Sequence, residues 1–227
     1  MVHSSMKALG IDGEGPELVI KALQEVLTDK GTLLMPALTY STVTRANPNF
    51  SYHDSPVCVG LIPETFRKSK GVIRSFNPVH SVCAWGKYAK EMTENHKLDV
   101  ISIGKHSPYC LLPQYDGKIL MMGCGLRPNT FIHGIENVAK APYREIKYIV
   151  QYTMEDAYGN SISYEGHLPD MSQFDQRYDR VTQILSHPDI KRFSLLQAES
   201  YLIDSQALMS AGVKAIKEDP YYFVDKL

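Results

Sequence analysis

The sequence predicts a single α/β domain over residues 1–227, in which helices flank a central mixed β-sheet. Short apolar runs that end at Gly or Pro, as buried strands often do, alternate with segments whose apolar residues recur at helical spacing. A hairpin signal late in the chain adds antiparallel strands to this alternation. No linker-like stretch divides the chain, so we expect one core.

Each element of the first half follows from a local signal. Pro16 suits the first position of a helix, and Gly31 is placed to end it. Residues 40–57 are polar, aromatic and irregular, and a loop of this length inside a domain is often functional. The predicted elements are a strand ending at residues 2–3, a loop over 4–15 through Gly10, Gly13 and Gly15, a helix from 16 to before 31, a strand over 32–35, the loop 40–57, a helix over 62–68, a loop over 73–80, a strand over 82–85 and a helix reaching about 95.

The second half supplies the hairpin and the last helices. Residues 156–160 read Asp-Ala-Tyr-Gly-Asn, which is turn chemistry between two strand-like runs. The predicted elements are a strand over 118–122, a helix over 130–139, hairpin strands over 148–154 and 161–164, a helix over 174–185, a strand near 202 and a C-terminal helix.

Composition excludes several classes of function. The net charge is −1, so the chain lacks the basic field that non-specific nucleic-acid binding requires. No apolar run is long enough to span a membrane, and the first residues have no signal-peptide pattern. The four cysteines form no C-x-x-C pair, which predicts buried free thiols and a reducing, cytoplasmic location. Phosphate-loop, G-x-S-x-G and H-E-x-x-H patterns are missing from the sequence, and we predict no metal site.

Two polar segments are candidates for chemistry. In the segment from Thr130 to Glu136, a helix places Thr130, His133 and Glu136 on one face, and a carboxylate beside a histidine makes a good general base. A surface His–Glu pair is the alternative. The segment RSFNPVHS, residues 74–81, is dense in hydrogen-bond donors and suits a phosphate or a pantetheine amide, although a solvated loop explains it equally well.

The chain resembles the aminoglycoside 3-N-acetyltransferase family, which has the antibiotic N-acetyltransferase fold. The resemblance lies in segments that follow the family's order from residue 2 to about 140: VHSSMKALG, GTLLMPALTY, RSFNPVHSVCAWG, GKHSPY, GKILMMGCG and NTFIHGIE. A weaker match covers LIDSQALMSAGVKAI near the C-terminus. Relatives usually carry a further helix and most of a strand before VHSS, and we expect that this chain lacks them.

The resemblance implies acetyl-coenzyme A as the acetyl donor and a primary amine of an aminoglycoside antibiotic as the acceptor. It implies that His133 is the catalytic base, assisted by Glu136 and by an acid of the later helix, for which Asp179 is preferred and Asp175 is the alternative. Thr130, or a nearby backbone N–H, is a candidate donor to the tetrahedral oxyanion. The implied coenzyme-binding residues are Ser4, Ser5, Met6, Lys7, Arg74, Ser75, His80, Ser81, Ser107 and Thr130. The implied acceptor-binding residues are Glu64, Tyr40 and Asn77.

The charges of the implied ligands predict which residues should bind them. The coenzyme's phosphates need cations, for which Lys7, Arg74 or the basic run 67–70 are candidates. A polycationic acceptor needs local carboxylates, because the net charge of −1 gives no global field. Two other functions stay open: an acetyltransferase of this fold acting on another amine, and a non-catalytic coenzyme A-binding relative. The sequence predicts no oligomeric state.

Overall fold

The computed structural model describes residues 1–11 and 15–227. The described strands are β1 (Val2–Ser4), β2 (Thr32–Pro36), β3 (Asn49–Ser51), β4 (Ile73–Arg74), β5 (Val82–Gly86), β6 (Lys118–Met122), β7 (Ile146–Glu155), β8 (Ser161–Pro169), β9 (Phe174–Gln176), β10 (Ile190–Leu195), β11 (Ala198–Asp204) and β12 (Val224–Lys226). The described α-helices are α1 (Met6–Leu9), α2 (Pro16–Leu27), α3 (Leu61–Lys68), α4 (Ala89–Thr93), α5 (Pro108–Leu111), α6 (Ile132–Ala139), α7 (Val181–Ile184) and α8 (Ser205–Glu218).

The chain forms two compact units. Unit 1 contains Met1–Gly10, Tyr109–Tyr148 and Pro169–Leu227, and unit 2 contains Ile11–Pro108 and Ile149–Leu168. The mixed α/β class that the sequence predicts is confirmed, with the described strands distributed over four sheets. Within the described ranges, every helix is too short or too polar to cross a lipid bilayer.

Unit 1 is built on a four-stranded mixed sheet in the order β1-β6-β11-β10. Strand β6 is parallel to β1 and antiparallel to β11, and the buried Ile119, Met121 and Met122 make it a central strand. Helices α6 and α8 pack against each other. Gly212 permits their close approach, since a Cβ at this position would lie 2.9 Å from the side chain of Ile135. The same packing holds α6 in place, and with it the histidine at position 133.

Unit 2 contains the antiparallel sheet β2-β5-β4 and the mixed sheet β3-β7-β8. Strands β2 and β5 are continuous apolar runs, as is typical of strands that are covered on both faces. In β7, Val150, Tyr152 and Met154 are buried while their neighbours along the strand are not, as in a half-buried strand. The predicted β7–β8 hairpin is present. The Asp156 carboxylate accepts hydrogen bonds from the backbone N–H groups of residues 158 and 160 in its turn.

The predicted helix over 174–185 is wrong. Residues 174–176 form β9, which pairs antiparallel with β12, and only Val181–Ile184 form an α-helix after a 3₁₀ turn. The apolar residues Phe174, Tyr178, Val181 and Leu185 have helical spacing, but pairing with the distant β12 outweighs this local preference.

The remaining differences between the predicted and the observed elements are smaller. Strands β3, β4, β10 and β12 are not among the predicted elements. Strands β3, β4 and β12 have only two or three residues each, whereas β10 forms a hairpin with the adjacent β11 that is not predicted from the sequence. The predicted loop after β1 contains the four-residue α1, which ends at Gly10 with a φ of 67°. Its portion at residues 12–14, including Gly13, lies outside the described residues. The helix expected from 130 begins at Ile132.

Candidate active site

His133 and Glu136 lie one turn apart on α6 and are in direct contact. His133 Nδ1 is 2.8 Å from Glu136 Oε2. The side chain of Glu136 is fully buried, and that of His133 is 12% exposed. His133 and Glu136 therefore form a mostly buried pair, and not the surface pair that was the alternative. The spacing predicts the contact, while the burial follows from the packing of α6 within unit 1.

Three residues that the sequence does not single out complete the surroundings of Glu136. The hydroxyls of Tyr178 and Tyr143 donate to Glu136 Oε1 at 3.1 Å and 3.2 Å. Arg144 Nε lies 3.6 Å from Glu136 Oε2. A buried carboxylate is tolerated when it is paired and hydrogen-bonded in this way. We call His133, Glu136, Tyr143, Arg144 and Tyr178 the His133 cluster.

The hydrogen bonds of the cluster select a tautomer for His133. The Tyr178 hydroxyl donates to Glu136, and its oxygen lies 3.0 Å from His133 Nδ1, so it can accept from Nδ1–H as Glu136 Oε2 does. A neutral ring with its proton on Nδ1 has its lone pair on Nε2. Burial and the charge of Arg144 lower the pKa of His133 from its ordinary value, and Glu136 acts in the opposite direction. The arrangement favours a neutral imidazole.

The two aspartates expected to partner the histidine form other pairs. Asp179 Oδ2 lies 3.2 Å from Arg177, and the Asp175 carboxylate pairs with Arg127. The helix expected to carry these aspartates does not form. In the 3₁₀ turn found there instead, Tyr178 is the residue that contacts His133.

Thr130 lies in the turn that precedes α6, two residues before the helix begins. Its carbonyl accepts the backbone N–H of His133, and its hydroxyl donates weakly to the Pro128 carbonyl at 3.5 Å. Next to it, the Asn129 side chain is completely buried, and neither its Oδ1 nor its Nδ2 has a hydrogen-bond partner within the part of the chain that the structure describes. A buried amide without partners is costly, so this position fits a polar ligand group such as a pantetheine amide.

The segment Ser4–Lys7 begins at the last residue of β1, in the same unit. Ser5 caps α1 by accepting the Ala8 N–H at 3.4 Å, and Lys7 is exposed. The buried ring of His3 bonds the Pro128 carbonyl, which places the end of β1 beside the segment 129–130. Burial lowers the pKa of His3 to about 3. These positions are compatible with the predicted coenzyme role of Ser4, Ser5, Met6 and Lys7.

In unit 2, the side chain of Arg74 is committed to the protein's own polar atoms. It is 4% exposed, and burial lowers its pKa to about 10. Its guanidinium lies 4.7 Å from the centre of the Phe50 ring. The expectation that Arg74 binds a coenzyme phosphate does not fit this environment. Its four acceptors are Ser81 Oγ at 3.0 Å and the carbonyls of Tyr52 at 3.1 Å, Ser55 at 2.8 Å and Ala37 at 3.3 Å.

The other expected ligands of the segment 74–81 are also used internally. The Ser75 hydroxyl lies 2.8 Å from Nδ1 of the buried His96, and the Ser81 hydroxyl donates to the Ala37 carbonyl at 2.7 Å. Asn77 Oδ1 accepts the N–H groups of residues 79 and 80 and so shapes a turn. These internal bonds occupy the side chains of Ser75, Asn77 and Ser81, and their ligand-binding roles remain predictions.

His80 and Ser107 lie in the same unit and remain predicted coenzyme ligands. His80 is half-buried, and the buried Ser107 hydroxyl donates to the Gly104 carbonyl at 2.8 Å. Asp99 organises the loop around Ser107 by accepting the backbone N–H of His106 at 3.0 Å and contacting the His106 ring at 2.9 Å.

Glu64, expected at the acceptor site, is paired within its own helix. Its carboxylate lies 2.8 Å from both Arg67 and Lys68, and it accepts the Val57 N–H at 2.8 Å. Although partial burial opposes this, hydrogen bonds from Arg67 and Lys68 hold the pKa of Glu64 down at about 2. The basic run 67–70 is thereby partly neutralised as well. Tyr40 is 54% exposed, and its role remains a prediction.

The four cysteines are all free thiols, as predicted, although only Cys83 is fully buried. Burial raises the pKa of Cys83 to about 12 and that of Cys124 to about 11, which makes both thiols poor nucleophiles. Among residues 1–11 and 15–227, no three His, Cys, Asp or Glu side chains come together as a metal site.

Comparison with known proteins identifies the family. The family model described as aminoglycoside 3-N-acetyltransferase matches residues 1–217. The chain belongs to this family. Among similar proteins is the aminoglycoside N(3)-acetyltransferase III of Pseudomonas aeruginosa, which is 30% identical over 162 residues, covering 64% of this chain and 59% of the relative. The aminoglycoside N(3')-acetyltransferase-like protein YokD of Bacillus subtilis is 28% identical over 166 residues, covering 64% of this chain and 60% of that protein. The aligned region thus spans about three fifths of these relatives' length.

Solved structures of the family share the fold. The AAC-IIIb complex with coenzyme A superposes with a TM-score of 0.82 at 26% identity, covering 96% of this chain and 89% of that one. A mutant of AAC(3)-IVa in complex with a gentamicin superposes with a TM-score of 0.81 at 25% identity, covering 98% of this chain and 82% of that one. These two family members bind coenzyme A and an aminoglycoside, respectively.

Proposed function

We propose that this chain transfers the acetyl group of acetyl-coenzyme A to an amine of an aminoglycoside-type acceptor, with His133 as the general base. The observation that carries the proposal is the His133 cluster, in which a buried carboxylate favours the Nδ1–H tautomer of a mostly buried histidine. A positioned base of this kind contributes about 10²- to 10⁴-fold to a rate. Membership in the family supplies the substrate class.

In the proposed reaction, the acceptor amine attacks the thioester carbonyl carbon, so that an N–C bond forms and the C–S bond breaks. The proton lost by the attacking amine goes to His133 Nε2, the sulfur leaves with the electron pair as a thiolate, and the imidazolium then gives its Nε2 proton to that thiolate, which yields the coenzyme thiol and a neutral His133. Glu136 stabilises the imidazolium that results, and Tyr143 and Tyr178 keep Glu136 in place. The lowered pKa of His133 keeps the ring neutral before the reaction, which is the state that accepts a proton.

Acetyl-coenzyme A supplies the activated acetyl group, and unit 1 contains residues suited to hold it. Asn129 offers an unpaired buried amide, Thr130 offers a hydroxyl near the start of α6, and Lys7 offers an exposed cation for a phosphate. Thr130 is also the proposed donor to the tetrahedral oxyanion, since hydrogen bonds aimed at developing charge are a principal source of catalysis.

The ion pairs of Glu64 support a second possible class of acceptor. Its pairing with Arg67 and Lys68 removes negative charge from the place where the sequence predicts polycation recognition. An acceptor with a single amine is therefore the alternative. The intact His133 cluster argues against a non-catalytic coenzyme A-binding relative, because such a protein has no need of a buried base.

A thiol-release assay tests the proposed function. Folded protein is incubated with acetyl-coenzyme A and, in separate reactions, with gentamicin, sisomicin, a monoamine sugar and no acceptor. We expect thiol release that depends on an aminoglycoside and a matching mass increase of one acetyl group on that acceptor. Release with the monoamine alone supports the alternative. Absence of acceptor-dependent release from every amine contradicts the proposal.

A further inference from the structure

Unit 1 contains a cleft of about 490 Å³ that no predicted site residue lines. Its volume is within the range of small-molecule sites. Three aromatic rings, Tyr143, Phe174 and Tyr221, line it together with the carboxylates of Glu145 and Asp170.

The three rings form one wall. Phe174 and Tyr221 stack with an interplanar angle of 29° and a centroid distance of 6.0 Å, and Tyr143 lies 5.7 Å from Phe174 and 5.9 Å from Tyr221. Phe174 is the first residue of β9, which pairs antiparallel with β12, and Tyr221 lies three residues before β12. Tyr221 is 48% exposed although it is held in this stack, so it presents aromatic surface to solvent.

The charged residues of the cleft favour a cation with hydroxyl groups. Asp170 accepts the Tyr148 hydroxyl at 2.9 Å and the Ser172 N–H at 3.0 Å, which fixes its orientation. Glu145 lies 2.6 Å from Lys147 in an exposed pair. Two carboxylates and one ammonium leave a net negative charge, and aromatic faces attract both cations and the C–H faces of sugar rings.

Tyr143 connects this cleft with the His133 cluster. Its ring belongs to the aromatic wall, and its hydroxyl donates to Glu136 Oε1 at 3.2 Å. A ligand in the cleft therefore touches a residue that contacts the carboxylate of the proposed base.

We propose that the cleft is an acceptor subsite that binds a cationic amino-sugar ring remote from the reacting amine. The ring stacks on Tyr221 and places an ammonium group toward Asp170. The inference rests on the proposed function for the identity of the acceptor.

A second cleft provides a matched comparison. It lies in unit 2 beside the loop 40–57, has a volume of about 430 Å³ and includes Asp54 and Glu155. Phe50, its aromatic residue, is only 2% exposed, so this cleft offers carboxylates without an exposed ring. If charge alone selects the acceptor, as expected from the sequence, this second cleft is the competing location.

Calorimetric titration with sisomicin tests the inference without requiring turnover. We compare the wild type with Asp170→Asn, Tyr221→Ala, Tyr221→Phe and, as control for the other cleft, Glu155→Gln, each with its melting temperature. We expect Kd to rise about tenfold in Asp170→Asn and in Tyr221→Ala, and to stay near the wild-type value in Tyr221→Phe and Glu155→Gln. The stacking ring survives in Tyr221→Phe, so this variant separates the role of the ring from that of the hydroxyl.

The outcomes separate the subsite from the activity. No binding to the wild type, an unchanged Kd in folded Asp170→Asn and Tyr221→Ala, or weaker binding in Glu155→Gln overturns the inference. Thiol release by the wild type together with an unchanged sisomicin KM in both cleft variants also overturns it, while leaving the proposed function intact. Conversely, binding that depends on Asp170 and Tyr221 without any thiol release supports the subsite and contradicts the proposed function.

Discussion

The His133 cluster and the segment 74–81 are equally rich in polar side chains, but they use them differently. In the His133 cluster, side chains bond to one another and converge on a single carboxylate, Glu136. In the segment 74–81, Arg74 and Ser81 bond mainly to backbone carbonyls of neighbouring strands and loops. The first arrangement prepares a group for proton transfer, and the second holds the fold together.

The contrast shows that a polar motif alone does not reveal whether its side chains bind a ligand or stabilise the fold. A donor whose hydrogen bonds are satisfied by the protein has little to offer a ligand, because binding then requires those bonds to be broken. The side chains of the segment 74–81 follow the family's order, and preservation of the local fold explains that order equally well. Mutations at the two regions should therefore separate activity from stability.

The largest effect is expected at His133. His133→Ala should lower kcat on the order of 10²-fold or more, about 3 kcal/mol, with a much smaller change in KM for the coenzyme. Steady-state kinetics and thermal melting on one preparation measure both effects. His167→Ala is the matched control, since His167 lies 2.8 Å from Glu165 in a more exposed pair outside the cluster. Equal kcat losses in the two variants, or a loss at His133 explained by unfolding, would contradict the assignment.

Arg74 should show the opposite behaviour. Arg74→Met leaves buried carbonyls and Ser81 without their donor, and we expect the free energy of unfolding to fall by roughly 3 kcal/mol. The protein that remains folded should keep its KM for acetyl-coenzyme A. Urea unfolding and coenzyme kinetics check the two statements, with Arg45→Met at an exposed arginine as control. A raised coenzyme KM at unchanged stability would return Arg74 to the binding site.

A smaller effect is expected at Tyr178. Tyr178→Phe removes the hydroxyl that donates to Glu136 and lies 3.0 Å from His133 Nδ1. Glu136 keeps Tyr143, so kcat should fall by only about tenfold, while stability changes by about 1 kcal/mol. Tyr222→Phe, at a tyrosine whose hydroxyl donates to the Arg180 carbonyl, is the control. Activity equal to the wild type would remove Tyr178 from the catalytic arrangement.

The smallest effect concerns Glu64. Glu64→Gln weakens the contacts with Arg67 and Lys68 and should cost about 1 kcal/mol of stability. Because this carboxylate is already paired, KM should be unchanged for every amine that is acetylated. Kinetics across the amine panel measure this, and a selective rise in KM for polycationic acceptors would place Glu64 in the acceptor site after all.

The elements that the sequence predicts correctly are those with a strong local pattern. Helix α2, with Pro16 at its start, and the apolar strands β2, β5 and β6 follow from such patterns. The misassigned segment 174–185 depends on pairing with β12, which lies far along the chain and leaves no local pattern. Competition from a distant partner is the physical reason for this error.

The candidate site likewise contains one contact that the sequence predicts and others that it does not. His133 and Glu136 are three residues apart, so helical geometry predicts their contact. Tyr178 lies 45 residues from His133, and nothing in its surrounding sequence indicates that it, rather than Asp179, reaches the ring. Whether the Arg74 guanidinium faces a ligand or the protein's own carbonyls is likewise decided by tertiary packing, which spacing alone does not show.

The central claim is that Glu136 and its partners hold His133 as a neutral base with its lone pair on Nε2. Nitrogen-15 NMR of the imidazole across a pH titration, with the resonance assigned from His133→Gln, tests this most directly. Because the pKa of His133 is lowered, we expect the neutral Nδ1–H tautomer at about pH 7, with protonation only at a pH below the usual histidine range and loss of activity over that same range as the pH falls. An imidazolium at that neutral pH, or a neutral ring protonated on Nε2, would contradict the account.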